Sequence, residues 1–171
     1  MKQYGLIKKI LIIGVSVFIL AGCDQASKKI AQSELQGKTI QSYLGGSLQF
    51  FYIENSGGML SFGSELSEKT KFILFQVVVP LILFLLFLYT ITRKGLNKWE
   101  ITALIFFVSG GMGNVVDRFL NHGKVIDFIM LGIFDYHTGV FNLADFYVFL
   151  GLLLLLISKI PIRKHPTEIK T

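Results

Sequence analysis

The chain has 171 residues, a length typical of one domain, and 52% of its residues are hydrophobic whereas only 16% are charged. This composition is too apolar for an ordinary soluble domain and indicates a membrane protein. The net charge of +6 does not indicate nucleic-acid binding, because Lys and Arg of a membrane protein collect on its cytoplasmic side. The single cysteine excludes an internal disulfide and a cysteine cluster for a metal ion.

Four stretches of the chain carry no charged residue. They are Ile10 to Cys23, Phe72 to Thr92, Ile101 to Val116 and Phe146 to Ser158. Only the second reaches the roughly 20 residues that a helix needs to cross the hydrocarbon core of a bilayer. The other three end in polar turns that would complete a crossing. We therefore predict one membrane domain over residues 1–171, with four transmembrane helices at about 7–24, 71–92, 99–118 and 143–160.

The basic residues that flank these helices fall into three groups. These are Lys2, Lys8 and Lys9; Arg93, Lys94 and Lys98; and Lys159, Arg163, Lys164 and Lys170. With four crossings, all three groups lie on the same face, so both termini are predicted to be cytoplasmic. Trp99, beside the second group, is typical of an interfacial anchor.

The remaining segments, about residues 25–70 and 119–142, are then extracytoplasmic. The first begins with a polar, amphipathic pattern from Ala26 to Leu35, which predicts a short surface helix. It continues as alternating apolar and polar residues with Gly and Ser, which predicts short strands and hairpins. The second segment is short and irregular. We expect both segments to cover the outer ends of the helices.

Polar residues mark the outer ends of the three short helices. They are Asp24 on the first, Asn114, Asp117 and Arg118 on the third, and Asn142 and Asp145 on the fourth. A charge that faces lipid costs at least about 2.5 kcal/mol, so these groups must face one another or water. The sequence therefore predicts a polar cavity at the outer face. Asp117 by itself is also explained by an ion pair at a helix crossing, whereas the planar donors of Arg118 suit carbonyls or a phosphate-like head.

Asp127 lies within the apolar stretch VIDFIM, where burial favours its neutral form. Its partner by position is Asp145, at the mouth of the fourth helix. Two carboxylates in one desolvated site share a proton, which would let one act as a base toward water and the other as an acid toward an amide carbonyl. The alternative for Asp145 is a helix cap; the sequence leaves both open.

The stretch ENSGGMLSF, from Glu54 to Phe62, is a polar, glycine-rich turn. One interpretation is a plain hairpin connection. The other is a substrate contact, in which Asn55 offers an amide to a peptide while Gly57 and Gly58 allow its backbone to approach.

Other kinds of site have less support. The histidines, His122, His137 and His165, lack the spacing of metal ligands, and no G-x-S-x-G nucleophile motif occurs. Paired acids inside a membrane also occur in proton-coupled transporters. Here the acids all lie at one face and none lies in mid-helix, which argues against transport.

Five ordered blocks, DQASK, NSGGMLSF, GNVVDR, VIDF and FNLAD, give the chain a resemblance to the lipoprotein signal peptidase family, signal peptidase II, from about Leu20 to Leu156. The resemblance implies a fold of four transmembrane helices with an extracytoplasmic β-cradle and a short amphipathic surface helix. It also implies catalytic roles for Asp127 and Asp145. The residues that it assigns to the substrate site are Asp24, Asn55, Gly57, Asn114, Arg118 and Asn142.

The implied reaction removes the signal peptide from diacylglyceryl-modified prolipoproteins by hydrolysis before the lipidated cysteine. The implied location is the inner (cytoplasmic) membrane of a bacterial cell, with the active site near the outer face and with membrane lipid as a partner. The resemblance implies no metal and no organic cofactor, and we expect a monomer.

Two alternatives to this interpretation remain. The first is a specialised paralogue, because the family's turn usually reads N-x-G-A-x-F-S, whereas Gly58, Met59 and Leu60 follow Gly57 here. The second is a non-enzymatic membrane protein, either a transporter or a lipoprotein anchored at Cys23. Leu-Ala-Gly-Cys after a basic start and an apolar run is itself a good lipoprotein signal. The resemblance favours an uncleaved first helix.

Overall fold

The computed structural model describes residues 5–58, 61–134 and 136–159. Three helical stretches in these residues are long and apolar enough to cross a membrane: Leu6–Leu35, Glu68–Thr92 and Lys98–Leu120. A fourth apolar helix, Leu143–Ser158, has 16 residues. The molecule is therefore predominantly helical, with three to four apolar helices. Residue 160, the predicted end of the fourth helix, lies outside the described residues.

Helix α1 (Leu6–Leu35) is one continuous helix of 30 residues. The prediction of a membrane helix ending near Asp24 and a separate surface helix from Ala26 is wrong. No Pro or Gly interrupts the sequence after Gly22, and Asp24 forms an ion pair with Lys28 one turn later. At about 1.5 Å per residue α1 is about 45 Å long, which exceeds a hydrocarbon core of about 30 Å.

The helical stretch Glu68–Thr92 consists of three segments in one run. They are α2 (Glu68–Lys71), a π-helical segment (Phe72–Val78) and α3 (Val79–Thr92). Ser67 caps the start, since its hydroxyl accepts from the backbone N–H of Thr70. Pro80, the second residue of α3, has no N–H to donate to the preceding turn, and the wider π-helical segment ends two residues before it. Helix α4 (Lys98–Leu120) follows, with Asn97 and Glu100 as a capping box.

Four strands form a small antiparallel sheet in the order β1-β2-β3-β4. The strands are β1 (Gln41–Tyr43), β2 (Leu48–Asn55), β3 (Val125–Ile133) and β4 (Tyr136–His137). The first two lie where strands were predicted, but β3 falls in the segment that we expected to be irregular. Its apolar run VIDFIMLGI lacks the alternation of a half-exposed strand because β3 is buried on both faces over its first four residues.

The register of the sheet brings its polar residues together. Asn55 pairs with Val125 and Ile53 pairs with Asp127, after an irregularity between Phe50 and Ile53. This end of β2 therefore lies beside the start of β3, which follows α4 by only a short turn. The last turns of α1 support the sheet from one side, since Ala31 and Leu35 pack in one cluster with Ile126 and Phe128.

Helices α4 and α5 (Leu143–Ser158) pack closely because glycines face the partner helix. A Cβ atom at Gly110 would contact the carbonyl oxygen of Ala144, and one at Gly151 would lie 2.7 Å from the carbonyl oxygen of Ala103. Small residues allow such close approach between membrane helices. The start of α5 is thereby fixed against the last three turns of α4, where the polar side chains lie.

Candidate active site

Asp127 is a buried carboxylate on β3, with only 2% of its surface exposed. Two side-chain amides donate to it: Asn55 Nδ2 to Oδ2 at 2.9 Å and Asn142 Nδ2 to Oδ1 at 2.6 Å. Burial raises the pKa of Asp127 to about 6; the hydrogen bonds from Asn55 and Asn142 oppose this rise, and the nearby charge of Asp145 adds to it. The sequence prediction of a carboxylate with a favoured neutral form agrees with this shift.

Asp145 is the third residue of α5 and belongs to its capping box. Asn142 Oδ1 accepts from the backbone N–H of Asp145 at 2.9 Å, and Asp145 Oδ2 accepts from the backbone N–H of Asn142 at 3.3 Å. Its other oxygen accepts from Asn114 Nδ2, on α4, at 2.8 Å. Asp145 can therefore cap its helix and belong to the polar site at the same time, because one carboxylate oxygen makes the cap and the other accepts from Asn114.

Asn142 connects the two carboxylates, although they come from different elements. Its side chain donates to Asp127 while its backbone N–H donates to Asp145, and none of its surface is exposed. Its Nδ2 also lies 3.1 Å from Oδ1 of Asn114. The structure thus brings Asp127 and Asp145, which are 18 positions apart in the sequence, into one polar site.

Behind this pair lies a buried ionic group that we call the Lys28 cluster, made of Lys28, Asp24 and Asp117. Lys28 Nζ lies 2.8 Å from Asp24, 3.0 Å from Asp117 and 3.0 Å from Oδ1 of Asn114. These three acceptors match the three N–H donors of an ammonium group. All three members of the cluster are at most 1% exposed.

The Lys28 cluster also fixes backbone groups of the elements around it. Asp24 accepts from the N–H of Ala144 at 2.9 Å, at the start of α5, and Asp117 accepts from the N–H of Ile126 at 3.0 Å, beside Asp127. The cluster therefore joins α1, α4, β3 and α5. Asp24 was predicted to belong to the substrate site, and no role was predicted for Lys28. The DQASK block, with an acid and a base four residues apart, carries the signal for this ion pair.

Arg118 holds the turn after β2 in place. Its Nη2 donates to the carbonyl oxygen of Gly57 at 2.7 Å, its Nη1 donates to that of Asn114 at 3.0 Å, and its guanidinium lies 4.6 Å from the centre of the Phe75 ring. Its buried Nε has no hydrogen-bond partner among the described residues. Arg118 therefore contacts carbonyl groups, as its sequence position suggested, but these are the backbone carbonyls of Gly57 and Asn114 in the protein itself.

The turn from Asn55 to Gly58 is built around its own polar side chain. Asn55 Oδ1 accepts from the N–H of Gly57 at 2.8 Å, while Nδ2 donates to the carbonyl of Gly58 as well as to Asp127. A Cβ at Gly57 would come within 2.7 Å of the Ser61 backbone, so only Gly fits. At Gly58 a Cβ would meet the Phe75 ring at 3.4 Å, which is an ordinary contact distance, so alanine fits there. Met59 and Leu60 lie outside the described residues.

A cavity of about 260 Å³ opens beside Asp127. Its wall is formed by residues of β2, of the two turns that flank the site, and of β3: Ile53, Glu54, Asn55, Ser56, Ser61, Ser64, Asp127, Gly139 and Val140. A larger apolar groove of about 550 Å³ lies between α1, α3 and α4. The smaller cavity is the one that gives access to a carboxylate of the pair.

Within the described parts of the chain, no group of three or more His, Cys, Asp or Glu side chains is placed to hold a metal ion. His122 and His137 lie in the turn after α4 and on β4. His165 lies outside the described residues.

Gly113 is where α4 meets both Asp24 and α5. A Cβ there would contact Asp24 Oδ2 and lie 3.2 Å from the Cβ of Ala144. We expect Gly113→Ala to destabilise the protein by about 1–3 kcal/mol, because overpacking must displace the carboxylate or the helix. The measurement is denaturant-induced unfolding in detergent. Gly22→Ala is the matched control, since a Cβ at Gly22 meets nothing within 4 Å; equal effects of the two substitutions would contradict the assigned packing.

The model of a protein family described as signal peptidase (SPase) II matches residues 16–160. The chain belongs to the signal peptidase II family. The matched range includes all the residues of the polar site, from Asp24 to Asp145. As a member of a family of peptidases, the chain is classed as an enzyme.

Relatives in this signal peptidase II family share about a third of the sequence. The lipoprotein signal peptidase of Borrelia hermsii (strain HS1 / DAH) is 32% identical over 160 residues, which cover 91% of this chain and 93% of the relative. That of Streptococcus pyogenes serotype M1 is 34% identical over 143 residues, covering 84% and 89%. A solved bacterial membrane enzyme superposes with a TM-score of 0.75 at 27% identity, covering 94% of this chain and 96% of that one. These similarities agree with a bacterial membrane protein.

Proposed function

We propose that this protein is an intramembrane aspartic endopeptidase that removes signal peptides from diacylglyceryl-modified prolipoproteins. The observation that carries the proposal is the pair of buried carboxylates, Asp127 and Asp145, joined through Asn142 beside an open cavity. The substrate class follows from the relatives, which are named lipoprotein signal peptidases. The hydrolysed bond is the one before the lipidated cysteine.

In the proposed mechanism the pair shares one proton. The ionised carboxylate accepts a proton from water, the resulting hydroxyl oxygen attacks the peptide carbonyl, and the neutral carboxyl group donates its proton to the carbonyl oxygen. Collapse of this adduct breaks the C–N bond: the carboxyl group that took up the proton of water gives it to the departing nitrogen, and the other carboxylate takes a proton from a hydroxyl group of the adduct. The macroscopic pKa values belong to the pair, so we assign the resting proton to the pair and not to one residue.

Three asparagines orient the pair for this reaction. Asn55 and Asn142 hold both oxygens of Asp127, while Asn114 and the backbone of Asn142 hold those of Asp145. Each carboxylate is thereby fixed by donors from two elements before a substrate binds, as preorganised catalysis requires. Arg118, Gly57 and the Lys28 cluster act one step further away, by fixing the turn and the helix ends.

We further propose that both termini are cytoplasmic and that the site lies near the outer face of the membrane. Lys9 donates to the backbone oxygen of Arg93, and Lys159 pairs with Glu100 near the start of α4. The basic residues therefore share the end of the bundle opposite the site, which is the cytoplasmic end by the positive-inside rule. Lys2, Arg163, Lys164 and Lys170 lie outside the described residues. We propose a monomer, since a single chain supplies the whole site.

The structure bears on the alternative that Cys23 is a lipidated N-terminus. Cys23 is exposed on α1, and the residues before it include Ile13 and Val17, which pack in a core cluster with Ile91 and Val108. Cleavage before Cys23 would remove these core contacts, so we propose that α1 is retained. Intact mass of the membrane-extracted protein tests this: loss of the first 22 residues together with an added lipid would overturn it.

The proposed function is tested with purified protein and a lipobox peptide that carries a diacylglyceryl group on its cysteine. Wild type is expected to cleave immediately before the modified cysteine, as identified by the masses of both products. The same peptide without the lipid serves as the matched substrate and is expected to be cleaved far more slowly. Failure of a well-folded wild type to cleave either peptide would contradict the proposal and favour a specialised paralogue or a binding role.

The shared proton predicts how cleavage depends on pH. Asp127 has a pKa of about 6, so above that pH the pair increasingly carries two charges and lacks its acid. We expect kcat/KM, which reports the free enzyme, to decrease as the pH rises through about 6 and to decrease again at low pH, where both carboxylates are protonated.

Asn55 provides the matched test of this pH dependence. Its hydrogen bond lowers the pKa of Asp127, so Asn55→Ala is expected to move the alkaline limb to higher pH while also slowing cleavage. Glu54→Gln, beside it on β2, removes a carboxylate that already pairs with Lys124 and is expected to leave the limb in place. A profile without an alkaline limb would contradict the shared-proton mechanism.

A further inference from the structure

The end of the sheet remote from the active site carries a group of exposed apolar side chains, which we call the sheet tip. Phe134 is 93% exposed, Tyr136 84%, Leu44 79%, Ile133 71% and Tyr43 51%. Two turns present these side chains: one follows β1, and the other lies between β3 and β4. Soluble proteins rarely expose so many large apolar side chains together, and such patches mark interaction sites.

The two turns are neighbours, so the sheet tip is one surface. Leu48 pairs with Leu131 across β2 and β3, and the N–H of Gly132 donates to the carbonyl of Ser47 at 2.9 Å. A Cβ at Gly132 would lie 3.4 Å from the carbonyl oxygen of Gly46, which shows how closely the first turn approaches β3. Both turns therefore reach the same end of the sheet.

The backbone at the sheet tip is unusual for apolar residues. Leu44 has φ of 50° and Phe134 has φ of 55°, in the left-handed region that glycine and asparagine adopt more readily. Their side chains are 79% and 93% exposed, so internal packing does not compensate for this conformation. The fold alone gives no reason for large apolar residues at these two positions.

Charged residues are sparse in the sequence around these turns. None occurs between Lys38 and Glu54, and between Asp127 and Asp145 the one acidic residue is Asp135, which follows Phe134 in the sequence. Asp135 itself lies outside the described residues. Strand β1 is an edge strand, and edge strands that face water usually carry charges to prevent pairing with other chains. The lack of charge around β1 therefore indicates a surface that does not face water.

We propose that the sheet tip inserts into the interfacial layer of the lipid bilayer. The chain already lies in a membrane, and β3 starts just after α4, so its nine residues reach at most about 30 Å from the end of that helix. A sheet that lies along the membrane surface would place Leu44 and Phe134 among the upper acyl chains. The rings of Tyr43 and Tyr136, with an apolar body and a polar hydroxyl, suit the headgroup level.

The insertion would anchor the sheet at a second point, besides its covalent links to the helices. The cavity beside Asp127 lies between these two anchors, because its wall includes the site end of β2. This inference concerns the contact of the sheet with lipid and does not depend on peptidase activity. It is therefore tested without a substrate.

The test uses the fluorescence of single tryptophans. Trp99 is the only tryptophan in the chain and is half exposed, so Trp99→Phe gives a tryptophan-free background. Phe134→Trp and Leu44→Trp then place one probe on each turn. Lys38→Trp is the matched control, at an exposed position between α1 and β1. Each variant is reconstituted in vesicles of phosphatidylcholine brominated in the upper acyl chain, and thermal unfolding confirms that it is folded.

Brominated lipid is expected to quench most of the emission of the tryptophans at 134 and 44, with little effect on the tryptophan at 38. Their emission should also be blue-shifted relative to the control, and a water-soluble quencher should reach them less readily. Equal behaviour of all three probes would overturn the proposal. Protection from the soluble quencher without quenching by brominated lipid would also overturn it, in favour of contact with a second copy.

Discussion

Asp127→Asn and Asp145→Asn are each expected to abolish cleavage of a diacylglyceryl lipobox peptide. An asparagine side chain has nearly the same shape as aspartate but cannot accept and return a proton at the pH of the reaction. Loss of a general acid or base slows a reaction by about 10²–10⁴-fold. In the proposed mechanism each substitution removes one of the two carboxylates that share the proton, so the pair no longer supplies both an acid and a base. The measurement is kcat/KM on the lipidated peptide, with thermal unfolding to show that each variant is folded.

Glu54→Gln is the control for both substitutions. It makes the same change of carboxylate to amide on the strand next to Asp127 and in the wall of the same cavity. Glu54 is paired with Lys124 at 2.8 Å and has no contact with the proposed dyad in the hydrogen-bond network of the described residues. We expect it to retain nearly full activity. Substantial cleavage by either aspartate variant, or an equal loss in the control, would exclude the proposed dyad.

Lys28→Met is expected to destabilise the protein more than any other single substitution considered. Methionine fills a similar volume, but it leaves Asp24 and Asp117 buried without their cation. Removal of one partner from a buried ionic group costs about 3–5 kcal/mol. The loss should appear as a shift in denaturant-induced unfolding in detergent. Cleavage should also slow, because Lys28 donates to Asn114, which in turn donates to Asp145.

The neighbouring lysine gives the matched control. Lys29 is exposed on the same helix, so Lys29→Met makes the same chemical change without uncovering a buried acid. We expect its unfolding to match that of wild type. Combining Lys28→Met with Asp24→Asn and Asp117→Asn should recover part of the stability, since the uncompensated charges are then gone. Equal stability of the two lysine variants would show that the Lys28 cluster does not hold the elements together.

The composition of the chain predicts its helices, and the polar helix ends predict which side chains meet. A charged side chain in an apolar helix must contact other polar groups or water, because exposure to lipid is costly. This simple requirement is enough to predict that Asn114, Asn142 and Asp145 lie together, and their hydrogen bonds agree with it. Asp127 and Asn55 were predicted from their local sequence and from the five blocks, but their positions on paired strands depend on contacts between distant parts of the chain.

The features that were not predicted from the sequence depend on contacts between residues that are far apart in the chain. The continuation of α1 beyond Asp24 reflects packing of Ala31 and Leu35 on a sheet whose third strand lies some 90 positions later. Strand β3 was missed because burial on both faces removes the alternation by which strands are recognised. Lys28 was overlooked for a similar reason: a lysine next to a predicted surface normally faces water, and only the assembled fold shows that it is enclosed.

Every hydrogen bond that the two carboxylates receive within the described residues comes from an amide, either of an asparagine side chain or of the backbone. Amides neither gain nor lose protons in the pH range in which proteins work. In the proposed mechanism the shared proton can therefore pass to the other aspartate, to water or to a bound peptide, but not to these amide donors. The asparagines therefore orient the aspartates and, at Asp127, lower the pKa, but they do not exchange protons with them.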